Sequence, residues 1–170
     1  MAVLPYVTLL FIAARQYRIM SREQLHLTVA AIVHYQQRFL FVEEQDKLTG
    51  QHVLNQPAGH MEAHEDLLSA ARRELFEETG LQLAPVGWLG ISQLLAANNH
   101  TYVRVNVIFE PVSLPADYQP QDPDIKALHW LNQTELQHHA LPRRSALVEH
   151  ATEQYLSGIR LPLNLILPPR

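Results

Sequence analysis

The stretch "NQPAGHMEAHEDLLSAARRELFEETGL", from Asn55 to Leu81, decides how the rest of the chain is read. Its second half has helical spacing. Leu68, Ala71 and Leu75 fall on one stripe between Asp66 and Thr79, and Gly80 stands where a left-handed residue closes a helix. Three carboxylates, Glu74, Glu77 and Glu78, crowd the last turns. Positions i, i+3 and i+4 are neighbours on a helix, so the three share the face opposite Leu75. Two carboxylates roughly 5.5 Å apart repel by about 3 kcal/mol at an effective dielectric near ~20. That lifts a carboxylate pKa by roughly two, and the negative end of the helix dipole adds to it. Arg72 and Arg73 relieve only part of the repulsion. Taken alone, the cluster fits either a solvated acidic face with arginine partners or a seat for a divalent cation. Hard, oxygen-only ligands suit Mg2+ or Mn2+ better than zinc.

Outward from this stretch the chain has an ordinary globular balance. Its 170 residues are enough for one domain with a sizeable core, and 47% are apolar against 18% charged. The net charge of −4 argues against a nucleic-acid polymer or an anionic membrane as partner, because both call for a basic face. Ten histidines make the surface charge sensitive to pH between about 5 and 7. The absence of cysteine excludes a disulfide scaffold, a thiolate nucleophile and a cysteine-based zinc site, and it fits a cytoplasmic setting.

The apolar, β-branched run Leu25–His34 predicts a buried strand. "QQR" is its tight turn, and Phe39–Glu44 is the hairpin partner. Residues 53–56 predict a short strand, and Pro57-Ala58-Gly59 a bend. After the helix, extended chain is expected over Leu83–Leu95 and over Thr101–Val112, with "AANNH" as the turn between them. Gln119–Ile125, with two prolines and two aspartates, reads as a loop before a last strand, "IKALHWL". A capped helix is expected from Asn132 or Thr134 and another over Arg143–Ser157, closed by Gly158. The proline-rich tail from Leu161 should drape over the surface. The sum is an α+β arrangement in layers.

Gly59, Glu65, Arg73, Glu74, Leu75, Glu77, Glu78, Gly80 and Leu81 match the pattern G-x5-E-x7-R-E-U-x-E-E-x-G-U at every fixed position. This is the Nudix box, and the segment resembles a Nudix hydrolase. The resemblance implies an α/β/α sandwich with a mixed sheet and a loop–helix–loop motif. It also implies Mg2+-dependent hydrolysis (Mn2+ being an alternative) of a small-molecule diphosphate linked to another moiety. Carried onto this chain, Glu77 and Glu78 are the main metal ligands, with the Ala58 carbonyl beside them. Glu74 is a further ligand or the general base. Arg73 and Glu65 pair and orient the helix and Glu74.

Further segments, "DPDIKALHWL", "RRSALVEHATEQYLSG" and "IRLPL", resemble the phosphatase NudJ subfamily across roughly residues 25–165. That implies nucleoside tri- and diphosphates as substrates, together with 4-amino-2-methyl-5-hydroxymethylpyrimidine diphosphate. A nucleotide-pool sanitising enzyme is the nearest rival, and a Nudix-like sensor without turnover is the alternative from another class. Four residues outside the carboxylate cluster are candidates for substrate contact. His60 adjoins the box, Arg104 lies in a strand, and Asp122 and Asp124 lie in the loop before the last strand. The competing readings are a strand-surface arginine and aspartates that merely cap a turn. Trp88 and Trp130 read as core or as base-stacking rings. His138, His139 and His150 read as solvent-exposed.

Residues 1–24 form an N-terminal extension in this reading, 25–165 the hydrolase domain and 166–170 a tail. "VLPYVTLLFIAA" (Val3–Ala14) is shorter than the ~20 residues of a spanning helix and lacks a basic flank before it. Residues 1–20 are expected to be dispensable for catalysis, with Met20 as an alternative start. Monomer and homodimer are both compatible with the sequence.

Overall fold

The computed structural model describes residues 25–168. The expectations for residues 1–20 therefore lie outside the described residues. Among the described residues, seven strands, three α-helices and a 3-10 turn follow one another as β1 (Leu25–Tyr35), β2 (Arg38–Gln45), β3 (His52–Asn55), β4 (Ala58–His60), α1 (Leu67–Thr79), β5 (Gly87–Leu95), β6 (Thr101–Phe109), β7 (Ile125–Leu131), α2 (Gln133–Gln137), α3 (Ala146–Leu156) and the turn Leu163–Leu165.

β1 organises the sheet. It runs parallel to β6 from Leu25↔Thr101 to Val33↔Phe109, and β6 pairs antiparallel with β5. On its other edge β1 pairs with β4 at Thr28–Ala30, and with β2 only beside the hairpin turn. β2 then leaves β1 and pairs with β3 and β7. The sheet is thus mixed and splits at β1. The box enters at that split.

β1 reads as a continuous apolar run because both of its faces are buried. Successive side chains of a strand point to opposite sides. Val29, Ala31 and Val33 join Ala70, Ala71 and Leu75 of α1 in one cluster. Ala30 and Ile32 join Phe39, Phe41, Leu136, Val148, Ala151 and Tyr155, under α2 and α3, in the other. Each fully buried Leu, Ile or Phe contributes about 1.5–3 kcal/mol. The outcome is the expected α/β/α sandwich.

Local chemistry sets the element ends. Asp66 caps α1, its Oδ1 accepting from the amides of Leu68 and Ser69 at 2.9 Å each, a cap worth about 1 kcal/mol. Gly80 ends α1 in the left-handed region at φ 79°. A Cβ there would also run into the Gln119 backbone. Asn132 and Glu135 form a reciprocal capping box on α2. The hairpin turn is the pair Gln36-Gln37, both at positive φ.

Several expected boundaries move, each for a reason in the chain. β5 begins at Gly87 rather than Leu83, since Pro85 cannot donate to a ladder. β6 stops at Phe109, two residues before Pro111. α3 begins at Ala146 with Ser145 as cap. Arg143 and Arg144 are instead tied to Leu54, Arg144 donating its amide to the Leu54 carbonyl at 2.8 Å. Ala58 and Gly59 belong to strand β4 rather than to a simple bend. In the tail, Leu161 bridges to Trp88, followed by the 3-10 turn Leu163–Leu165.

Candidate active site

Arg73 is the hub of the box. Its Nη2 donates to Glu65 Oε1 at 2.8 Å and to the His60 carbonyl at 3.0 Å, and its Nε donates to Glu65 Oε2 at 3.1 Å. Its Nη1 donates to Glu74 Oε1 at 2.8 Å and to Glu77 Oε2 at 3.1 Å. Glu65 also accepts from the Glu62 amide at 2.6 Å. The Arg73 guanidinium, first among several causes, holds the Glu65 carboxyl below its ordinary range. One guanidinium therefore locks the entry loop, the helix and β4 together. The pairing of Arg73 with Glu65 expected from the sequence is present.

Glu74 and Glu78 face the β4 backbone. Glu78 Oε2 accepts the Ala58 amide at 2.9 Å. Burial pushes the Glu78 carboxyl up to about 9. The Ala58 amide opposes this, while Glu44, Glu74 and Asp122 push in the same direction as burial. Burial also raises the Glu74 carboxyl, against the pull of Arg73. The Glu74 carboxylate occupies the space in which Gly59 would otherwise carry its Cβ. Gly59 is therefore required by contact with Glu74, not by its own φ.

The donor chemistry suits a hard divalent cation. Two buried carboxylates lie together, and Glu78 has a single hydrogen-bond partner and like-charged neighbours. Among the described residues, however, no three acidic or imidazole side chains converge as a ligand set. Arg73 instead holds Glu77, whose side chain is 47% exposed, as well as Glu74. Ala58 turns its N–H, rather than an identified carbonyl contact, toward the carboxylates.

The outlying residues sort differently. Arg104 is buried between β3 and β6. Its amino groups reach only the amide oxygens of Asn55 and Gln56, at 3.4–3.5 Å, and its Nε has no partner. Burial lowers the Arg104 pKa to about 10. It is not the strand-surface arginine of the simpler reading. Asp122 lies beside the helix end, where its amide and that of Gln121 donate to the Glu77 carbonyl at 2.9 and 2.7 Å. Its Oδ1 accepts from the Asp124 amide at 2.8 Å. Asp124 is exposed and pairs with Lys47 at 3.4 Å, away from the carboxylates. Trp88 and Trp130 are half-buried, their Nε1–H groups donating to Pro162 O and Tyr118 Oη. His138 and His150 are exposed, whereas His139 is half-buried against His129.

The sequence reading missed Glu44, Asn55, Gln56 and Arg144. Glu44 accepts from Asn55 Nδ2 at 2.9 Å and pairs with Arg144 at 3.0 Å. A register irregularity in the β2–β7 ladder falls between Glu43, which contacts His52 and His129, and Glu44. The one available signal was Asn55-Gln56 itself, two amides directly before the bend.

The sandwich, the loop–helix–loop and its interlocked carboxylates define the Nudix family, and the NUDIX domain profile matches residues 24–151. The chain belongs to this family, as a hydrolase of phosphoric anhydrides. Among curated relatives it is 39% identical over 141 residues to Phosphatase NudJ of Escherichia coli (strain K12), covering 83% of this chain and 90% of the relative. The same figures hold for Phosphatase NudJ of Shigella flexneri. A solved NUDIX hydrolase from Nitrosomonas europaea superposes with a TM-score of 0.77 at 34% identity, over 85% of this chain and 97% of that one. A MutT NUDIX hydrolase from Burkholderia pseudomallei, at 22% identity and a TM-score of 0.63 over 76% of this chain and 97% of that one, shares the fold. Among the described residues, no helix is long and apolar enough to cross a membrane.

Proposed function

We propose that this chain is a Mg2+-dependent pyrophosphohydrolase of the cytoplasm. It acts on nucleoside tri- and diphosphates and on 4-amino-2-methyl-5-hydroxymethylpyrimidine diphosphate, by attack of water on a phosphorus. The observation that carries the metal reading is the buried Glu78 carboxylate, surrounded by like charge and with only the Ala58 amide as partner. Glu78, Glu74 and Glu77, with the Ala58 backbone, would hold the cation, Glu77 by leaving Arg73. When bound, the cation supplies Lewis acidity toward the phosphoryl oxygens and lowers the pKa of the attacking water.

The remaining steps belong to side chains. Glu74, held by Arg73 at 2.8 Å, takes the proton from water, and Arg73 with Glu65 positions it. Arg104 lacks a carboxylate partner within salt-bridge range among the described residues and is left to meet a substrate phosphate, with His60 across Thr28 from it in the sheet. Glu44 and Asp122, the latter on the loop against α1, are the acidic residues from outside the box that bear on Glu78, and Asp124, on the same loop as Asp122, pairs with Lys47. The substrate range is supported by the 39% identity to Phosphatase NudJ. Phosphate release from nucleotides and the pyrimidine diphosphate is expected with Mg2+ and not with EDTA. Equal release in EDTA would overturn the metal reading, and no release from any of these compounds would overturn the substrate reading.

A further inference from the structure

Near the start of β1, beyond the cluster under α3, the sheet carries four rings, of which only His60 has been given a part in the chemistry above. His26 lies opposite Tyr102 in the parallel ladder, and the two rings stack at 4.7 Å and 16°. His100, from the β5–β6 turn, meets His26 with Nδ1 2.7 Å from His26 Nε2 and the ring planes only 14° apart. A contact that short between ring nitrogens, with the planes nearly parallel, places the two imidazoles edge to edge in one plane. His60 stands across them at 70°, its Nε2 3.2 Å from His26 Nδ1. His26, His100 and Tyr102 are half-buried and His60 is exposed. The result is a flat floor of two imidazoles, backed by a phenol ring and walled by a third imidazole.

The position of this floor is as informative as its shape. Thr28↔Arg104 is two residues along the same ladder from His26↔Tyr102, so Arg104 lies roughly 7 Å further along the same face. Thr28 also pairs with His60, next to Gly59. The nitrogens of the three histidines point at one another rather than at a common centre, which does not suit a metal ion. A flat array of π-faces beside a cationic side chain suits a planar heterocycle that carries phosphate.

We infer that His26, His100, Tyr102 and His60 form a stacking seat for the planar heterocyclic moiety of the substrate, and so select ring-bearing diphosphates over ringless ones. The inference rests on the diphosphate reading above and adds the part of the substrate that the box does not touch.

The test is calorimetric titration of the full chain with Mg2+, using probes whose P–C–P bond resists hydrolysis. These are α,β-methylene-ADP, α,β-methylene-UDP and methylenediphosphonate. At least one nucleoside probe is expected to bind tenfold or more tightly than methylenediphosphonate. His100→Ala and Tyr102→Leu should each weaken that probe about five- to tenfold and leave methylenediphosphonate unchanged, the lower end of what stacking on one aromatic ring is worth. Tyr102→Phe keeps the ring and should restore binding, which separates stacking from a merely structural role. Equal affinity for nucleoside and ringless probes, or equal loss of both in His100→Ala, overturns the seat. Failure of the diphosphate reading looks different: methylenediphosphonate would then bind no better with Mg2+ than without it.

Discussion

Gly59→Ala should separate chemistry from folding. Gly59 has no positive φ, so its backbone tolerates a side chain. The added Cβ would fall on the Glu74 carboxylate, well inside the 3.0 Å that real Cβ atoms respect, and the carboxylate must retreat by about 1 Å. Only the end of a flexible side chain moves, and the loss is the Arg73–Glu74 contact at 2.8 Å. That costs about 1 kcal/mol, or a fall of about 2–4 °C in Tm for a chain of this size. A catalytic group displaced by ~1 Å loses about 100-fold in kcat, some 2.7 kcal/mol of barrier. Thermal unfolding and single-turnover phosphate release would be measured on the same preparation. A folded Gly59→Ala protein within threefold of wild-type kcat would refute the role given to Glu74.

Glu78→Gln should keep the fold, since the amide oxygen still accepts from Ala58, but lose at least 100-fold in Mg2+-dependent turnover; phosphate release beside circular dichroism decides. The raised Glu78 pKa, about 9 against 4.5 unfolded, means that the folded state binds this proton more tightly. Its stabilising contribution is complete below about 4.5 and lost as pH rises toward about 9. The rise in Tm on adding Mg2+ should therefore grow with pH across that window, and a Mg2+ effect that shrinks with pH would contradict it. Gly80→Ala should destabilise by several kcal/mol, because the left-handed φ and the Gln119 backbone both resist a Cβ. A Tm within 2 °C of wild type, the scale of a loss below about 1 kcal/mol, would refute that.

The parts of this protein that were legible in the sequence are those whose partners lie close along the chain. The box is a local motif: Glu65, Arg73 and Glu74 meet through one helix and its entry loop, so fixed spacing implies contact. The cap at Asn132 and the Gln36-Gln37 hairpin are local in the same way. Proline and capping residues shifted the remaining boundaries, as at Pro85, Pro111 and Ser145. Illegible were the contacts made by sheet order. Nothing in the run Thr101–Phe109 announces that it lies parallel to β1, and only that alignment carries Arg104 to Asn55 and Gln56, and Tyr102 to His26. The pairing of Glu44 with Arg144 likewise joins positions far apart in the chain. The turn of Glu77 toward Arg73 is a rotamer choice that spacing leaves open.

The parallel pairing of β1 with β6 also dictates an order of events as the chain folds. The β1–β2 hairpin and the helix of the box close short loops, whereas Leu25↔Thr101 closes a far longer one, and loop closure grows costlier with length. The hairpin and the box helix can therefore form before the strand that carries Arg104 docks on β1 and completes the core under that helix. Pulse-labelled hydrogen exchange during refolding should find the Tyr35↔Arg38 end of the hairpin protected ahead of β6. Simultaneous protection would show that hairpin and strand condense in one step. With staged assembly, a nascent chain that has exposed the box but not yet Phe109 would carry the proposed metal ligands without the strand pairing that brings Arg104 to Asn55 and Gln56.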